Sequence, residues 1–115
     1  MEYSELTAEE RLGLIGLLKA LIQADRTYSK EESIELRKVA SKVGPELFHE
    51  TVELARAQFK SLESIKAHAQ TIERQAAREL IMQTLHEMAV PDDLAAEELE
   101  LLQWLGQTWG IAVPA

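Results

Sequence analysis

Two short acidic stretches carry the residues with the clearest capacity for chemistry. The first, Asp25-Arg26-Thr27-Tyr28-Ser29-Lys30-Glu31-Glu32, makes an oxygen-rich turn with Asp25, Thr27, Ser29, Glu31 and Glu32. Asp92, Asp93 and Glu98 form a second, looser set near the other end of the chain. Hard cations such as Ca²⁺ take six to eight oxygen ligands, and Mg²⁺ takes a tighter octahedron that retains waters. One turn supplies two or three of these, so an ion site has to draw on both stretches. Asp25 and Glu32 are the candidates from the first and Asp93 and Glu98 from the second. The same residues also suit plain helix capping: Ser29-x-x-Glu32 is a capping box, and acidic groups in a first turn meet the helix dipole favourably. Glu98 is the more suggestive residue, because Ala95 offers no hydroxyl with which to build such a box.

Other chemistries find less support. The first stretch is not an EF-hand loop, since no glycine stands at the sharp bend and Leu36 occupies the place of the bidentate glutamate. Glu46-Leu-Phe-His49 has the spacing used in di-iron bundles, but that chemistry needs the motif twice plus two further inward carboxylates. The remaining histidines, His68 and His86, follow Ile65 and Gln83 at that spacing. No nucleophile elbow and no phosphate-cradling glycine loop is present. The chain therefore reads as a non-enzyme.

Composition agrees. At 115 residues the chain suits one domain over 1–115, large enough for a core without staples. Hydrophobic residues make up 46% while glycine (5) and proline (3) are few, which favours a helical globule. With no cysteine, any metal must be held by oxygen or imidazole, and the absence fits a reducing, cytoplasmic setting. The net charge of −8 sets 12 scattered basic residues against 20 acidic ones, which argues against nucleic acid and anionic membranes. Leu12 to Ile22 is apolar, but it follows four glutamates, is interrupted by Lys19, and is too short to span a bilayer.

The elements that must position these residues are helices. Thr7-Ala-Glu-Glu10 is a capping box that starts the first near Ala8, and this helix is apolar on nearly every side, as at the centre of a bundle. A second helix follows Ser29, with Leu36, Val39, Ala40 and Val43 on one stripe, and stops at Gly44. Pro45 opens a third, over about 46 to 59, carrying Phe48, Val52, Ala55 and Phe59. Residues 61 to 88 are periodic without interruption, with Leu62, Ile65, Ala69, Ile72, Ala76, Leu80, Leu85 and Met88 as the inner face. A break near Gln70-Thr71 divides them into a short fourth helix and a fifth from about 72 to 89. The last helix, about 95 to 109, buries Leu102, Leu105 and Trp109. No segment alternates long enough to be a strand.

A helix-turn-helix pair recurs along this chain with an offset of 66 residues: Leu14-Ile15, Glu32 and Gly44 return as Leu80-Ile81, Glu98 and Gly110. Neither half could bury its apolar stripe alone. Ala24-Asp25 through Glu32, followed by Leu36, Val39-Ala40 and Gly44, resembles the signature of the tellurite-resistance TerB-like family. Val90-Pro91-Asp92-Asp93 through Glu98, with Leu101-Leu102 and Gly110-Ile111, resembles that family's second copy. The likeness spans about residues 10 to 111. It implies an all-α bundle of five to six helices with internal duplication, and a non-enzymatic stress-response module that in some members binds a divalent cation. Family members accompany bacterial responses to tellurite and other chemical stress, and similar domains accompany co-chaperones. This chain departs from the pattern twice. Arg26 replaces the usual glycine, and Pro91 stands where the first copy has Asp25.

With the duplicated acidic spacing, the resemblance makes Asp25, Glu32, Asp93 and Glu98 the expected ligands of a Ca²⁺ or Mg²⁺ ion. The alternative is an acidic protein-interaction or scaffold adaptor with no metal site. In that case Trp104, with Leu101 and Met82 as neighbours, is the contact for a protein partner or a second copy, unless the indole simply covers a neighbouring helix.

Overall fold

A computed structural model describes residues 1–24, 30–89 and 96–113, excluding the side chains of Ala24 and of residues 30–32. Among the described residues a 3₁₀ turn (Tyr3–Glu5) precedes six helices and there is no strand: α1 (Ala8–Ala24), α2 (Lys30–Val43), α3 (Pro45–Gln58), α4 (Leu62–Ala69), α5 (Gln75–Ala89) and α6 (Ala96–Trp109). The radius of gyration is 12.8 Å, close to the value of about 13 Å for a compact globule of this length. None of these helices is long and apolar enough to cross a membrane.

The capping box forms as its residues require. Glu10 N–H donates to Thr7 Oγ1 at 3.1 Å and Thr7 N–H to Glu10 Oε1 at 2.8 Å, so α1 begins at Ala8. From Leu12 onward the helix is enclosed: Leu14, Leu17 and Leu21 have no exposed surface, and Leu18 is 1% exposed. Helices α3, α4, α5 and α6 all pack against it.

Two small residues let the neighbours come this close. A Cβ on Gly16 would lie 2.6 Å from Phe59 Cε2, and one on Gly13 would lie 2.5 Å from Ile72 Cδ1. The aromatic ring of Phe59 and the side chain of Ile72 thus sit where α1 lacks side chains. Gly44 and Gly110 act differently, ending α2 and α6 at φ 108° and 66°. After Gly110, Ile111 N–H returns to Gly106 O at 3.0 Å, as in a Schellman closure.

The division of residues 61 to 88 is real, but it lies at residues 70–74, so α5 begins about three residues later than the periodicity suggests. Neither glycine nor proline causes it. Side chains take carbonyls that a continuous helix would have used: Trp109 Nε1–H, from α6, donates to Ala69 O at 2.9 Å, and Arg78 Nε–H, from the first turn of α5, donates to Ile72 O at 2.7 Å. The break resets the helical phase, which corrects the expected inner face. Ala77, Ile81, Leu85 and Met88 are buried on α5, whereas Ala76 is exposed, Leu80 half-buried and Leu62 46% exposed.

Two buried polar contacts join distant segments. Thr84 Oγ1–H donates to Leu80 O at 2.8 Å, which commits its single proton, so Tyr3 O–H donates to Thr84 Oγ1 at 2.6 Å. Glu10, beyond its capping role, accepts from Arg74 Nε at 2.8 Å and from Arg74 Nη2 at 2.5 Å. Arg74 Nη2 also donates to Glu5 O, tying the first turn and α1 to the 70–74 bend.

Two outcomes follow. Gly16→Ala lowers stability by about 1–3 kcal/mol in urea denaturation, despite alanine's helix preference, because the Phe59 ring cannot yield as a flexible chain end does. Gly13→Ala costs less, since Ile72 Cδ1 can rotate away. The second concerns acid. The hydrogen bond from Arg74, chiefly, holds the Glu10 carboxyl below the ordinary 4.5. A lowered folded-state value contributes stability above about pH 4.5 that is lost as pH falls through that lowered value. Glu10→Gln therefore destabilises at neutral pH, and its deficit against the native chain narrows as pH falls below about 4.5 in the same denaturation assay.

Candidate functional site

The two acidic corners join α1 to α2 and α5 to α6. Asp25 and Asp93 lie outside the described residues, as do Ser29, Asp92 and the side chain of Glu32. Glu98 is described. It occupies the first turn of α6 and is 1% exposed, so its carboxylate is carried into the interior rather than into solvent. Burial of this kind requires a compensating donor or cation.

The helix ends that lead into these corners lie together. Gln23, two residues before Asp25, and Glu97, beside Glu98, line a single cleft of about 650 Å³. The C-terminal end of α1 and the N-terminal end of α6 therefore share one side of the molecule.

Glu10 is a useful comparison for Glu98. Each is the third residue of its helix and each is buried, at 5% and 1% exposure. The Glu10 carboxylate is accounted for by Thr7 and Arg74. A buried glutamate at a helix start thus has a purely structural use elsewhere in the same protein.

The other titratable candidates are placed as follows. Glu46 and His49 both stand on the exposed side of α3, not facing the core as a di-iron centre needs. His68 donates Nε2–H to Glu9 O at 2.8 Å and meets the Phe59 ring edge-on at 5.4 Å, so the ring joins α4 to the start of α1. His86 is half-buried on α5. Among the described residues, no three His, Asp or Glu side chains are disposed to hold a metal ion.

Trp104 differs from its expected setting. Met82 is 2% exposed and belongs to the core, away from the indole, whereas Leu101, 6% exposed, lines the same cleft as Trp104. Lys66 of α4 instead places its Nζ 4.8 Å from the centre of the half-buried Trp104 ring, a cation–π contact. Both residues line the 650 Å³ cleft, whose wall also includes Lys19, Lys60, Phe59 and Leu62.

The sequence contained one hint of this cleft that went unused. Lys19 interrupts an otherwise apolar helix, and it does so at the place where α1 reaches the surface. Lys60 and Lys66, more than forty residues away, have no such local mark.

Comparison with protein families, curated proteins and solved structures finds no match to this chain.

Proposed function

We propose that this chain is a non-enzymatic, cytoplasmic binding module of the TerB-like, stress-response kind. It is built from two related helix pairs and captures a divalent cation, Ca²⁺ or Mg²⁺, between its acidic corners. Asp25 and Glu32 serve from the first corner, and Asp93 and Glu98 from the second. The observation that carries this reading is the shared cleft lining by Gln23 and Glu97, which brings the bases of both corners to one side of the molecule. The buried carboxylate of Glu98 supports it, because an inward-facing anion at such a corner is suited to a hard cation.

The adaptor reading also has an observation in its favour. Glu10 shows that a buried third-position glutamate can serve capping and ion pairing alone. The two readings differ in their response to ions.

Thermal unfolding with EDTA, Ca²⁺, Mg²⁺ and Zn²⁺ separates them. An ion present at a hundred times its dissociation constant raises stability by roughly 2.7 kcal/mol, and EDTA reverses the gain. Glu98→Gln abolishes the ion-dependent increment, and Asp93→Asn does so should the first variant fold poorly. An unchanged midpoint with every ion at millimolar concentration overturns the cation reading and leaves the adaptor.

A further inference from the structure

The cleft between α1, the 59–61 turn, α4 and α6 combines two properties. Its floor is apolar and aromatic, formed by Phe59, Leu62 and Trp104, with Leu62 left 46% exposed at its edge. Its rim gathers Lys19, Lys60 and Lys66, three of only 12 basic residues in a chain of net charge −8.

These lysines come from three separate elements, so only the tertiary fold brings them together. None is ion-paired among the described residues, although acidic side chains outnumber basic ones across the protein. Lys66 is held over the indole, which fixes its ammonium group at the apolar floor. Lys60 donates to Arg56 O at 3.2 Å, which holds it close to its own turn.

Such a surface complements a group that is apolar and negatively charged within the same few ångströms. The opposite wall narrows the choice, because α6 contributes Glu97 and Glu100 there. A uniformly charged polyanion would meet those carboxylates at close range, whereas a segment with its negative charge at one end avoids them.

We propose that the cleft docks a short segment of a partner protein in which an aspartate or glutamate flanks a large apolar side chain. The apolar anchor rests on Phe59, Leu62 and Trp104, and the carboxylate faces Lys19, Lys60 and Lys66. This site needs neither acidic corner, so it stands apart from the cation reading.

The test uses the whole chain as bait for a phage-displayed library of random octapeptides. Selected peptides carry an acidic residue beside Leu, Phe or Trp. A synthetic peptide of the selected sequence, followed by fluorescence anisotropy, binds more weakly as salt rises. The double variant Lys60→Glu/Lys66→Glu weakens it by roughly tenfold or more. Lys60 is exposed and Lys66 half-buried over the indole, and an unchanged unfolding midpoint shows that the variant is folded.

Several results overturn the proposal. They are no enrichment, enrichment without acidic residues, and affinity unchanged in the double variant. Two others reassign the cleft. Self-association that the double variant abolishes, seen by sedimentation, makes the occupant a second copy of this chain. Tighter binding of heparin or single-stranded DNA than of any selected peptide makes it a polyanion.

Discussion

The enclosure of α1 is the constraint on which the remaining structure depends. A helix apolar on nearly every side has no favourable place at a surface, so the other helices must surround it. How closely they do so is set by two positions without side chains, where Phe59 and Ile72 settle against bare backbone. These two contacts place the end of α3 and the 70–74 bend, and the bend in turn orients α4 and α5. The cleft is a product of the same arrangement. Its walls are the parts of α1, α4 and α6 that diverge where α1 approaches solvent at Lys19.

Polar interactions have a narrower task, which is to fix how segments join the central helix. Glu10 caps α1 and receives Arg74 from the bend, while Tyr3 reaches α5 through Thr84. The Glu10–Arg74 and Tyr3–Thr84 contacts join residues more than sixty positions apart. The neutral Tyr3–Thr84 bond contributes only about 0.5–1.5 kcal/mol net, so it defines geometry more than it adds stability.

Much of the architecture was legible in the sequence, for local reasons. The Thr7–Glu10 box, Pro45 at the start of α3 and glycines at the ends of α2 and α6 are instructions carried by neighbouring residues, and the helices obey them. The boundary of α5 was less legible, because one of the hydrogen bonds at the bend comes from Trp109, forty residues away, and periodicity contains no information about distant donors. The same limit applied to Ala76, whose outward position follows from the phase change at the bend. At the site, the missing hydroxyl at Ala95 singled out Glu98 as something other than a capping-box residue, but its burial had no mark in the sequence. The lysine cluster was not legible, since Lys19, Lys60 and Lys66 become neighbours only through the packing of three elements.

The indole of Trp109 has a consequence for how the chain comes into being. Its N–H completes a turn forty residues behind it, at Ala69. During synthesis the ribosome delivers that donor forty residues after its acceptor, so a nascent chain holding only α1 to α5 keeps an unfinished bend and an incompletely covered central helix. Such a chain matures late, when α6 has emerged and can close the globule, and until then its apolar surface is what a chaperone would meet.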